Sequence, residues 1–201
     1  HMLRHDGQLQ VYESEAEFRA SLPGWQAREE AGIAFRHLKG EEIAAYQPGL
    51  APAFTHATFT PEWQSISDPR DYVLAMADRF RAGGGEITIT RAERLVAGGV
   101  ETAAGMMPGN VVLAAGAHSH HLARTAGAKI PLETERGYNT TLPAGAFDLK
   151  RQITFGGHGF VISKVGDGLR VGGAVELGGL DLPPNFARAD AMLKKAKRFL
   201  P

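Results

Sequence analysis

The chain holds 201 residues, enough for one large domain or two small ones. Its 43% hydrophobic and 22% charged residues are those of a globular protein, and 22 basic residues against 22 acidic ones argue against a nucleic-acid partner bound by phosphate neutralisation. The absence of Cys excludes disulfides, thiolate metal sites and a Cys nucleophile, and the sequence shows neither a membrane-length apolar run nor a signal peptide. His1-Met2 reads as the remnant of an expression tag and Phe199-Leu200-Pro201 as a cut end.

In chain order, 8–12 alternates with a period of two and predicts a strand. Ser14 and Glu17 form a capping box for a helix that breaks at Pro23-Gly24 and resumes to Ala31, with Gly32 just past its end. A strand over 33–38 and a helix over 39–46 follow, the latter stopped by Gln47-Pro48-Gly49. Residues 54–60 have strand propensity, and 61–66 form a loop carrying Trp63 and Gln64. Asp68 as N-cap, Pro69 at the first helical position and Asp71 two residues on start a strong helix. Val73, Leu74, Met76, Ala77 and Phe80 give that helix one apolar face. Gly83-Gly84-Gly85 ends it, as a C-cap and turn rather than a phosphate loop. A strand over 86–91 and a small ribbon from 94–96 and 100–102 come next, a pattern that suits part of a parallel α/β unit.

The stretch from Asn110 to Ser119 organises the chain. Val111-Val112-Leu113 predicts a strand buried on both faces. Ala114-Ala115-Gly116-Ala117 then removes nearly all side chain, and Ser119 is placed to cap a helix. Such a turn lets a backbone approach a ligand, and helix-start N–H groups suit an anion. A tight turn with nothing bound is the equal alternative on local grounds. His118, His120 and His121 read as a polar helix start, not a metal site, and Ser119 lacks the Gly-x-Ser-x-Gly elbow of a nucleophile.

Strands over 137–142, 152–155, 159–164 and 169–176 follow, with Asp167-Gly168 as a hairpin signal. They predict an α+β fold whose last antiparallel strands pair with 54–60 or its neighbours. Asn185 is placed to cap a last helix, with Phe186, Ala189, Leu193, Ala196 and Leu200 facing inward. The Lys194, Lys195, Lys197 and Arg198 cluster reads as a solvated face suited to the helix C-terminus.

Several segments together resemble the FAD-dependent D-amino-acid oxidase superfamily, nearest its bacterial D-amino-acid dehydrogenases. They are Ser67-Asp68-Pro69, Gly84-Gly85-Glu86-Ile87, the run from Val111 to Ser119, the run from Pro131 to Tyr138, Gly159-Phe160, and Gly172 to Gly179. The resemblance implies the middle of such an enzyme: an antiparallel-sheet substrate domain with helices, plus a remnant of a Rossmann-like FAD-binding domain. It assigns residues 3–82 and 131–201 to the substrate domain and 83–130 to the remnant. The Gly-x-Gly-x-x-Gly turn of the family is absent, since Gly83-Gly84-Gly85 follows a helix.

The resemblance implies FAD as cofactor of the longer parent protein, with the isolated chain carrying none. Ala92, Ala114, Ala115, Gly116, Ala117 and Ser119 match cofactor-contacting positions, while His118 departs from a frequent Trp. Tyr138, Phe160 and Glu176 match positions at the substrate cavity, with Arg136 and Gly137 beside it. Glu176 could instead face solvent with Val175 inward, since strand faces alternate. The implied reaction is oxidative deamination of a small-molecule D-amino acid to a 2-oxo acid and ammonia by hydride transfer to flavin, in the cytoplasm or peripherally at the inner face of a bacterial membrane. No catalytic side chain and no metal is called for. A related amine, glycine or sarcosine oxidoreductase and a non-catalytic binding module are the alternatives. Exposed apolar surface on the truncated domain would favour self-association.

Overall fold

The computed structural model describes residues 2–200. The fold is α+β, and its residues gather into two units: one takes the chain up to Met76, Gly137–Val175 and the stretch from Pro184 onward, the other Ala77–Arg136 and Glu176–Pro183.

The strands of the first unit are β1 (Leu3–Arg4), β2 (Gln8–Tyr12), β3 (Arg36–Lys39), β4 (His56–Thr60) and β5 (Ser65–Ile66). Its helices α1 (Glu15–Glu30) and α2 (Glu42–Tyr46) lie among them in sequence, and α3 (Pro69–Ala82) leads out of it. Three strands, β6 (Ala92–Val96), β7 (Gly99–Thr102) and β8 (Gly105–Pro108), and helix α4 (Ser119–Thr125) belong to the second unit. The chain then returns through β9 (Arg136–Leu142), β10 (Gln152–Phe155), β11 (Phe160–Val165), β12 (Gly168–Glu176) and α5 (Ala187–Phe199).

Seven strands form one sheet in the order β3-β4-β2-β10-β11-β12-β9. β4 lies antiparallel to β2, and β10 to β11, but β10 runs parallel to β2, with Ile153 opposite Leu9 and Phe155 opposite Val11. The last strands therefore join the sheet through β2, the neighbour of β4, and that one junction is parallel. Period-two alternation sorts the faces. Leu9, Val11, Ala57, Ile153, Phe155, Ile162 and Val171 share one core with Ile43 of α2 and Met192, Ala196 and Phe199 of α5. Phe155 stacks on Phe160 at 4.4 Å and on Phe199 at 5.5 Å. Each such ring or aliphatic chain withdrawn from water stabilises the sheet by about 1.5–3 kcal/mol.

The polar partners in this register, Gln8 opposite Thr60 and Gln10 opposite Thr58, lie on the other face. Part of it is covered by α1. The Trp25 indole N–H donates to the Tyr12 hydroxyl at 2.7 Å, and Phe18 stacks on His56 at 5.0 Å. Ser14 caps α1 by accepting from the Glu17 N–H, but the Glu17 carboxylate reaches the Glu13 N–H, one residue before the cap. The predicted break at Pro23 does not occur. Pro23 and Arg19 are exposed, so the carbonyl left without a donor by the proline faces water.

Several boundaries depart from the sequence reading. The hairpin turn is Gly166-Asp167, because Val165 pairs with Gly168 and Gly166 supplies the positive φ of +58°. Asn185 does not cap α5; Phe186 holds that position without a side-chain bond, while the Asn185 N–H donates to the Tyr138 hydroxyl. The buried stripe of α5 is Ala189, Met192, Ala196 and Phe199, and Phe186 is exposed.

In the second unit β6, β7 and β8 form an antiparallel meander, the third strand being one the sequence reading missed. Residues 86–91 and 110–115 are not strands. A buried parallel strand needs neighbours to take its hydrogen bonds, and no described strand pairs with either segment. Val112 is 89% exposed and Ile89 94%.

Candidate functional site

Below Leu113 the backbone passes through Ala114 and Ala115 into one 3-10 turn, Gly116–His118, and then into α4. Gly116 has φ +53°, and a Cβ built there would meet nothing within 4 Å. The glycine is needed for its backbone angle and leaves open space beside it. Ala114 and Ala117 are exposed and Ala115 and Ser119 half-buried, so the stretch presents main chain to its surroundings. Ser119 is not the predicted cap. The 3-10 turn delivers the chain already helical at His118, so Ser119 is the first residue of α4, and His118 takes the cap position with no side-chain bond.

The turn and α4 form one wall of a cleft of about 940 Å³. His118, His121, Leu122 and Thr125 line that wall, with Arg91, Ala92, Glu93 and Asp181 around it. The Leu95 N–H donates to the Thr125 hydroxyl at 2.9 Å and ties β6 to α4. Ala92 pairs with Thr102 and Arg94 with Glu101, so Glu93 is the extra residue of a β-bulge and stands outside the ladder. The structure thus brings Ala92 and His118 together, while Ala114–Gly116 lead into the wall without lining it. Glu93, Leu122 and Thr125 were missed by sequence reasoning, since a bulge and a helix face turned to a cleft leave no local signature. The buried Nδ1 of His120 has no hydrogen-bond partner.

In the same unit, Arg136 and Glu176 form an ion pair at 3.4 Å, and the Glu176 side chain is only 10% exposed. Val175 is exposed, so of the two strand neighbours Glu176 is the sheltered one. Such a pair holds its members in register, because removing one strands the other's charge in low dielectric.

In the first unit, Tyr138 is buried, with its hydroxyl accepting from Asn185 at 2.7 Å. Phe160 borders a cleft of about 240 Å³ with His158, Gly159, Ala174, Arg188 and Met192. Its ring is 2% exposed and stacked on Phe155 within the core, because Phe160 pairs with Phe155 across β11 and β10 and takes the apolar face.

These elements define an α+β scaffold with exposed main chain at a small-residue turn beside a roomy cleft. The chain belongs to the DAO family, FAD dependent oxidoreductases, whose model matches residues 1–201. It is 30% identical to a D-amino-acid oxidase of Bradyrhizobium diazoefficiens over 197 residues, covering 95% of this chain and 47% of that protein. It is also 30% identical to a D-amino acid dehydrogenase of Paramagnetospirillum magneticum, covering 97% of this chain and 49% of the relative. The crystal structure of glycine oxidase from Geobacillus kaustophilus superimposes with a TM-score of 0.87 at 20% identity, covering 99% of this chain and 55% of that one. The chain thus spans about half the length of the curated relatives it matches.

The residues present fit part of an FAD site. The positive-φ glycine beside open space, the exposed alanine backbone and the bulge at the cleft leave room for a long, polar cofactor.

Proposed function

We propose that this chain supplies the substrate-binding domain and a segment of the FAD-binding domain of an enzyme that oxidatively deaminates D-amino acids to 2-oxo acids and ammonia. The observation that carries the reading is the Ala114–Ala117 turn, open at Gly116, leading into the cleft that Ala92 and His118 share. The names of the two relatives at 30% identity support the substrate class. FAD, when bound, supplies the acceptor for the hydride from the substrate Cα.

The chain's own residues would hold and orient. Ala92 and Ala114 to Ala117, with Ser119 behind them, would present main chain to the cofactor without side-chain obstruction. Arg136 holds Glu176 in a fixed, sheltered position, from which the carboxylate could receive a substrate amino group. Tyr138 is held by Asn185 and would shape the cavity wall. Phe160, whose ring stacks on Phe155 and borders a cleft of the first unit, would contribute an apolar surface on the substrate side.

The test is a protein carrying this segment together with the flanking parts its relatives have. Bound-flavin absorbance, bleached by D-amino acids with release of 2-oxo acid and ammonia, is expected. Bleaching by glycine, sarcosine or proline alone would move the reading to another substrate class. A colourless protein that takes up no added FAD would overturn it.

A further inference from the structure

The polar face of the seven-stranded sheet holds a second cleft, of about 400 Å³, unrelated to the cofactor reading. Register puts its polar groups together. Gln8 lies opposite Thr60 on one side and Gln152 on the other, and Gln10 lies opposite Thr154. All five line the cleft, between Trp25 and Trp63. Most of their hydrogen-bonding capacity is unspent. Gln8 gives one N–H to the Thr154 hydroxyl at 2.7 Å, and the side chains of Gln10, Thr60 and Gln152 bond to no other side chain or backbone among the described residues.

The charge of the cleft narrows the ligand. Among the described residues no carboxylate lines it. Its one cation, Arg28, lies over the Trp25 ring at 4.8 Å and donates to the Gly24 carbonyl at 2.7 Å. Amides and hydroxyls offer donors and acceptors together, which match neutral groups of the same kind. Trp63, 48% exposed, adds a flat apolar wall against which a ring or chain can lie while its edge is hydrogen-bonded.

We propose that this cleft binds a neutral small molecule bearing hydroxyl or carboxamide groups, seated on Trp63 and held by Gln8, Gln10, Gln152 and the two threonines. The site is independent of FAD, so it stands or falls apart from the oxidoreductase reading.

The test is ligand-observed NMR on the 201-residue chain with four probes: glucose, propionamide, acetate and methylamine. Saturable millimolar binding of glucose or propionamide is expected, with acetate and methylamine inert. Glucose alone would assign a polyol site and propionamide alone a carboxamide site. Gln10→Leu should weaken binding by about tenfold or more. Trp63→Ala, at an exposed loop position, should do the same with the fold intact by circular dichroism. Failure of both neutral probes, equal binding of a charged one, or unchanged binding in Trp63→Ala would overturn the proposal.

Discussion

His37 keeps much of its surface in water, yet its ring sits against Phe18 at 4.9 Å and Phe35 at 5.1 Å. That partial burial holds its pKa below the ordinary histidine value, with Glu29 pulling weakly the other way. The unfolded chain therefore binds the proton more readily, so the contribution is complete above about pH 6.5 and is lost as pH falls through the depressed folded value. Because the ring is largely exposed, the loss should be under about 1 kcal/mol. Melting temperatures between pH 8 and pH 5 should fall less steeply in His37→Gln than in the wild type; identical slopes would refute the assignment. Adjacent glycines make a sharper test. At Gly173, φ is +148° and a Cβ would lie 2.5 Å from the Gly159 carbonyl oxygen. At Gly172 it would meet only the Asn139 Cβ, at 3.6 Å. Gly173→Ala should cost about 2 kcal/mol or more in urea unfolding, and Gly172→Ala much less. In the sequence the two are indistinguishable, because the difference comes from the strand lying beside them. Glu176 was open there: strand parity gives two faces, and only the surrounding structure tells which one is sheltered.

At the scale of elements, caps and turns near strong helices were legible. The Arg70 N–H donates to the Asp68 carboxylate at 2.8 Å, as the Asp-Pro pattern predicts. Asp68→Ala should lower stability by about 1 kcal/mol, read from the urea midpoint. The apolar stripe of α3 was legible too, but its burial was not. Val73, Met76 and Phe80 are all more than half exposed, since periodicity specifies a face and not its partner. An unpartnered stripe of this kind favours association. Sedimentation should therefore show the chain self-associating, with Val73→Lys shifting it toward monomer; a wild type that stays monomeric at high concentration would rule this out. On α5 the most buried members are Met192 and Phe199, one position from Leu193 and Leu200, which are half-buried, Leu200 packing against the core; adjacent apolar pairs are what periodicity cannot separate. Residues 111–113 show the same limit for strands: the β-branched run is present, but a strand exists only with a ladder beside it.

At the scale of the molecule, the turn at Gly116 is the candidate-site feature most legible in sequence, because vanishing side chains mark where main chain is presented. The cleft beside it was not legible, being assembled from β6, α4 and Asp181, which are distant in sequence. In a protein with the flanking segments of its relatives, Gly116→Val should abolish flavin absorbance while circular dichroism stays unchanged, since Val cannot adopt φ +53° cheaply. Stoichiometric FAD in that variant would refute the contact. Calorimetry on the 201-residue chain alone should show no saturable FAD binding at micromolar concentration.

The parallel junction of β2 and β10 also sets an order of events during synthesis. Gln8 and its partner Thr154 are 146 residues apart, and Ala77–Arg136 of the second unit lies between them. At ribosomal speeds of about 5–20 residues per second, β2 waits roughly 7–30 s for the strand that completes its hydrogen bonds. The β6–β8 meander, made of near neighbours, can form within that interval. Until β10 emerges, β2 keeps an open edge bearing Leu9 and Val11, so the nascent chain is most prone to aggregate before residue 152 leaves the exit tunnel.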